Sequence, residues 1–218
     1  MQTQRTTLRR KPDRGAYDAS TVHAILDEAP FCHLGFAVDG QPYVIPTIHA
    51  RVEDRLYVHG AVANRMLRVL AEGAPCCVTA TLLDGIVLAR SAFHTSMNYR
   101  SVVVLGRATP VEDAGDKAAA MEAIVEKVVR GRSTACRPPS AVELRATRVL
   151  WLPLAEASAK IRTGPPIEEE EDYALPHWGG VVPLHLVLGE PVPDARTPAG
   201  TAFPHDPTRA FGKGVRAR

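Results

Sequence analysis

The sequence is short of the residues that mark the commonest kinds of site. It has four cysteines, Cys32, Cys76, Cys77 and Cys136, and none forms a Cys-x-x-Cys pair. The neighbours Cys76 and Cys77 would point to opposite sides of a strand, so the set makes neither a disulfide framework nor a zinc site. Buried thiols in a reducing cytoplasm are the expectation. No apolar run approaches the roughly 20 residues that cross a bilayer, and the basic N-terminus leads into no apolar leader segment. Neither a membrane span nor a secretory signal is expected. A formal charge of +2 is too close to balance to imply a nucleic-acid partner. There is no His-Glu-x-x-His, Walker or Ser-His-Asp pattern, which leaves protease, nucleotide-hydrolysis and serine-hydrolase readings unsupported.

What remains is an ordinary globular composition, 218 residues with 45% hydrophobic and 23% charged side chains, enough for one domain with extensions. Residues 1–16 read as a flexible arm, 17–188 as the domain, and 189–218, rich in Pro, Gly, Ala, Thr and Arg, as a disordered tail. Asp18 or Ser20 caps a first helix carrying Val22, Ile25, Leu26 and Ala29 on one stripe, and Pro30 stops it. A strand over 31–38 runs through Asp39-Gly40, a strong hairpin signal, into a second over 43–52, which turns at Glu53-Asp54 into 56–59. A helix follows over 62–72. Strands over 75–83 and 86–90 flank Asp84-Gly85, read as another hairpin turn, and a long strand spans 100–111. Asp113 caps a helix over 115–129, Ser140 and Glu143 have capping-box spacing, and 149–161 is read as the last strand. Such short connections require antiparallel pairing. Six or more strands of this kind with inserted helices indicate a mainly β protein built as a closed or nearly closed barrel.

Polar groups gather where the 56–59 strand ends, at His59, Gly60, Asn64 and Arg65. A phosphate beside Arg65 would gain a guanidinium fork and free N–H groups at a helix start; the plain alternative is a solvated surface arginine. Asn64 is a companion donor. His59 titrates near neutrality and suits contact with a ligand or proton donation, although a histidine at a strand end is often structural. Arg100 and Ser101 open a strand, and a partly buried arginine there needs an anionic partner, either a phosphate or a carboxylate across a dimer. Pro46 before Thr47 cannot donate to a ladder, which makes that strand irregular and open to a flat ligand. Trp178 either stacks on a ligand or anchors the C-terminal segment. The acids of 168–172 read as a solvated loop.

The order helix, strand–Asp-Gly–strand, His59-Gly60 through Asn64-Arg65-Met66 into a helix, then Asn98-Tyr99-Arg100-Ser101-Val102, resembles the pyridoxamine 5′-phosphate oxidase-like FMN-binding split-barrel proteins, including the nitroimidazole-resistance reductases. The resemblance covers about 17–184, with Lys160–Pro166 and Asp172–Leu184 in it. It implies a mainly β fold, a six-stranded antiparallel split barrel, forming a homodimer with FMN in clefts between the subunits. Val44, Ile45, Pro46 and Thr47 match the strand lining the flavin ring. His59, Asn64 and Arg65 match the strand end and loop near ring and phosphate, and Arg100 and Ser101 match the strand start that touches the flavin. Trp178 is expected near the flavin or the partner subunit, and His59 is the expected proton donor. The implied activity is hydride exchange at the flavin with a small molecule, nitro or quinone reduction more than vitamin B6 oxidation. The B6 oxidases end in Arg-Leu-x-Pro, and the matching region here reads Gly179-Gly180-Val181-Val182-Pro183-Leu184, with no arginine. A flavin, haem or deazaflavin F420 binding protein without catalysis is the alternative, with His59, His94 or His177 as haem ligands.

Overall fold

A computed structural model describes residues 1–204 and the backbone of 215–217. Its elements in chain order are β1 (Gly15–Ala16), α1 (Ala19–Glu28), β2 (Cys32–Val38), β3 (Gln41–Thr47), β4 (His49–Val52), β5 (Arg55–Ala61), α2 (Arg65–Ala71), β6 (Pro75–Leu88), β7 (Ser96–Arg107), β8 (Thr109–Pro110), α3 (Ala114–Val128), α4 (Ala141–Ala146), β9 (Thr147–Pro153), β10 (Ala157–Arg162), β11 (Gly180–Pro183), β12 (Leu186–Leu188) and β13 (Val215–Ala217). Of three short 3-10 turns, one precedes β1 and two lie between later elements.

Two antiparallel sheets form the split barrel. The larger runs β1-β10-β7-β6-β2-β3, with β11 paired to β6, and the smaller runs β4-β5-β9-β8. Between them lies the core, with Leu34, Val78 and Val102 from one sheet, and Leu56, Val58 and Leu150 from the other. Ile25 and Leu26 of α1 and Leu67 and Leu70 of α2 join it. The period-2 pattern fixes which face is which, since a slip of one residue would expose this whole set. α3 lies on the outer side of the smaller sheet, against β4, β5 and β9.

Most elements follow the sequence signals. Asp18 accepts from Thr21 N–H at the start of α1, Asp113 does the same for Gly115 and Asp116 at α3, and Ser140 with Glu143 closes a reciprocal capping box. Asp39 and Gly40 both have positive φ, 51° and 79°, as a two-residue hairpin requires. The 43–52 strand divides at Ile48 because the chain leaves one sheet there and enters the other, and the 149–161 strand divides into β9 and β10 for the same reason.

Two expectations are corrected. Asp84-Gly85 is not a hairpin: β6 runs through it with a bulge, its pairing to β7 shifting register between Leu83 and Gly85. Asp84 is instead the ion-pair partner of Arg100, and a Cβ at Gly85 would meet Val181 Cγ1 at 3.0 Å and Val182 O at 3.1 Å. Glycine there admits β11 rather than a turn. The N-terminal arm, expected to be flexible, is tied down. Thr3 and Arg5 bond to Glu156, Met1 O accepts from Ala157 N–H, and β1 pairs with β10. Of the tail, 189–204 has turns and no helix or strand, and it passes over Val129, Arg132 and Ala135 around a cavity of about 670 Å³. Residues 205–214 and 218, the rest of the segment expected to be disordered, lie outside the described residues.

Candidate functional site

β3 forms one edge of the larger sheet, and its pairing with β2 sets the direction of each side chain. Gly35↔Val44 and His33↔Pro46 face outward, while Leu34↔Ile45 and Phe36↔Tyr43 face inward. Val44 is 62% exposed and Ile45 37%, with Pro46 also exposed and Thr47 half-buried. An edge strand with this much apolar surface needs a cover.

Tyr43 ties that edge to the start of α2. Its ring stacks on Phe36 at 5.5 Å between centroids, and the Arg65 guanidinium lies 4.3 Å from its centroid. No carboxylate among the described residues pairs with Arg65, so its fork remains available beside the exposed strand. Asn64 is the N-cap of α2, its Oδ1 accepting from Leu67 N–H at 3.3 Å. Its amide NH₂ is left as the donor, lying 3.7 Å from where a Cβ of Gly60 would stand. Arg65, Asn64 and the Val44–Thr47 strand are thus brought together. The sequence reading missed Tyr43 because an aromatic in a strand carries no functional signal by itself.

His59 is placed elsewhere. Asn64 and Leu67 lie against the Gly60 face of β5, and alternation turns the His59 ring to the opposite, outer face of the smaller sheet. There it neighbours Val149, its strand partner, on the side that α3 covers. Burial lowers its pKa, and its Nδ1 is enclosed without a partner. The expectation that His59 donates a proton beside Arg65 is not met within one protomer. Another histidine, His49, is fully buried, with Nε2 2.8 Å from Leu26 O, and burial pushes its pKa down to about 4.

Arg100 is also corrected. Its guanidinium is filled on both edges by carboxylates of its own chain, Glu28 at 2.5 and 2.8 Å and Asp84 at 2.9 and 2.7 Å. That pairing raises its pKa further and leaves no edge for a cofactor phosphate. It joins the end of α1 to the bulge of β6. Ser101 faces the other way, its Oγ donating to Lys160 O. Trp178 is 63% exposed, its ring covering the Cβ direction of Gly180, 2.9 Å away, on the outer face of β6 and β11. It does not meet Arg65 within the protomer. Of the acids read as a solvated loop, Glu168 departs from expectation. It is buried and binds the Arg90 N–H and guanidinium and the Ser91 N–H. No group of three or more metal-ligating side chains occurs among the described residues.

A two-sheet split barrel with an exposed apolar edge strand beside an unpaired arginine defines a protein of the flavin-binding split-barrel class. The chain belongs to the pyridoxamine 5′-phosphate oxidase family, whose sequence model matches residues 18–161. No curated protein matches it. Among solved structures it is similar to the flavocytochrome Anf3 of Azotobacter vinelandii, 42% identical over 93% of this chain and 94% of that one, with a TM-score of 0.87. It is also similar to the FAD- and haem-binding protein of Mycobacterium smegmatis, 35% identical over 88% and 94%, TM-score 0.85. A Bacteroides thetaiotaomicron structure assigned to 5-nitroimidazole antibiotic resistance, 22% identical over 67% and 86%, TM-score 0.58, shares the fold.

Proposed function

We propose that the protein is a homodimeric flavin-dependent oxidoreductase that also carries haem. The observation that carries the flavin part is Arg65, an unpaired guanidinium stacked on Tyr43 at the foot of the exposed Val44–Thr47 strand. This arrangement fits a cofactor with a flat apolar ring and a phosphate. Arg65 and the Asn64 amide hold the phosphate, and Val44, Ile45, Pro46 and Thr47 support the ring. When bound, the flavin supplies hydride or electron transfer and the haem one-electron transfer; the protein positions and tunes both. FMN, expected from the family, and FAD, which the mycobacterial relative's name carries, both present a phosphate to Arg65.

The haem part rests on the two relatives named for it and on the histidines present. His59 is half-buried and held neutral, the form in which imidazole ligates iron. His94 lies 3.7 Å from Glu169, and His177 is exposed. We therefore assign axial ligation to His59, on the face of β5 away from the phosphate groups. The dimer is supported by the outer face of the larger sheet, where Val44, Leu83, Ile86, Met97 and Val182 are exposed and no described element covers them. A second copy placed there buries them and brings its own residues to the cleft. The substrates to screen are nitro and quinone acceptors. Vitamin B6 oxidation is disfavoured, since residues 172–190 contain no arginine.

An absorption spectrum of the purified protein, before and after addition of FMN or FAD and haem followed by gel filtration, tests this reading. Retained flavin bands and a Soret band at the dimer's elution volume are expected, with the Soret band lost in His59→Ala. A protein that retains no flavin after reconstitution overturns the proposal.

A further inference from the structure

Arg162 closes β10 and is 7% exposed. Its acceptors are all neutral. Nη1 donates to Asn98 Oδ1 and, at 3.4 Å, to Gly164 O, and Nη2 donates to Pro165 O at 3.3 Å. No carboxylate among the described residues pairs with it. A buried cation with no counter-charge is costly and is ordinarily paired. Two other arginines follow the rule: Arg51 turns its Nε and Nη2 to Asp27 at 2.8 and 2.6 Å, and Arg100 turns the same edge to Asp84. In Arg162 the Nε–H has no acceptor among the described residues, and Nη2 carries one proton beyond the one given to Pro165 O, so the group keeps donors for an oxyanion. Nε is not among the enclosed polar atoms that lack a partner, so it is the nitrogen that reaches solvent, while Nη2 is held by Pro165 O.

The surroundings add positive charge. Lys160 lies two residues earlier on the same outward face of β10, opposite Ser101, as Arg162 lies opposite Tyr99. Arg14 precedes Gly15, the β1 partner of Lys160. Arg14 is close enough that its charge, after burial, lowers the Arg162 pKa. Three cations with no paired acid among the described residues favour a multiply charged anion over a single carboxylate.

We propose that Arg162, with Arg14 and Lys160, forms a second anion site on the outer face of the larger sheet, built for a phosphate or diphosphate group. This site is separate from Arg65 and holds whether or not the flavin assignment does. The diphosphate comes either from a phosphorylated small molecule or from a dinucleotide flavin, in which case Arg162 rather than Arg65 holds the flavin's phosphates.

Calorimetric titration of the full chain with inorganic pyrophosphate, FMN and FAD tests this, using Arg162→Lys and the double variant Arg14→Gln/Lys160→Gln. The double variant leaves the Asn98–Gly164 clamp intact if Arg162→Lys folds poorly. The expected result is a loss of about tenfold or more in affinity for at least one diphosphate ligand. A loss for FAD with FMN unchanged identifies the cofactor as the source. A loss for pyrophosphate with FAD unchanged identifies a separate phosphorylated ligand. Affinities for all three ligands that match wild type in both variants overturn the proposal. So does an effect confined to dimer dissociation, which would make the partner of Arg162 a carboxylate of the second copy.

Discussion

The Arg65 guanidinium lies over the face of Tyr43, 4.3 Å from the ring centre, and makes no ion pair with any described residue. This contact joins two segments 22 positions apart and turns a helix start and an edge strand into one site. The ring holds the long side chain in place, worth about 0.5–1 kcal/mol where solvent-exposed, and leaves its donors free.

Arg65→Ala should therefore weaken flavin retention by about 1.5–3 kcal/mol, the range for a hydrogen bond to a charged group, roughly 10- to 150-fold in Kd. The melting temperature of the apoprotein should hardly move, because the residue is exposed. Fluorescence titration with FMN and FAD measures it, and wild-type affinity would remove Arg65 from the phosphate site. Tyr43→Leu should give a smaller loss in the same assay.

Arg100→Met should behave the opposite way. It leaves Glu28 and Asp84 facing each other without their cation. A cost on the order of 2–4 kcal/mol is expected, below that of a fully buried pair because part of the side chain is exposed. Flavin affinity of the folded fraction should stay at wild type. A folded, stable variant that has lost flavin would restore Arg100 to the cofactor site.

Acid should destabilise the protein through His49. Its folded pKa is depressed to about 4 from an ordinary 6.5, so the unfolded chain takes up the proton first. The stability present above pH 6.5 is then lost as pH falls towards 4. The loss is on the order of 3 kcal/mol if this group acts alone. Urea unfolding at pH 7, 5.5 and 4 reads it, and His49→Gln should flatten that part of the profile. An unchanged profile in the variant would assign the acid sensitivity to other groups.

Glu168→Gln should loosen the C-terminal segment. The carboxylate joins residues 90 and 91 to the chain beyond β10. Its loss should raise hydrogen exchange at 89–95 and 164–174 and leave the β2–β5 meander as protected as before. Protection unchanged in both segments would show that β11 pairing alone holds them.

The sequence by itself determined the local structure: the caps at Asp18, Asp113 and Ser140, the Asp39-Gly40 hairpin, the alternation that places Leu34, Leu56 and Val58 inside, and the family. These signals act within a few residues, so they are legible in one dimension. The tertiary structure alone decided which polar groups meet. Asp84-Gly85 carries the composition of a turn, yet Arg100 and β11 hold it inside a strand. His59 and Asn64 are five residues apart and stand on opposite faces of β5, whereas Tyr43 and Arg65, far apart in sequence, touch. Whether an arginine is free or paired depends on carboxylates many residues away, Glu28 and Asp84 for Arg100, and none among the described residues for Arg65 or Arg162. That pairing is set by how the strands and helices pack, which no local spacing records.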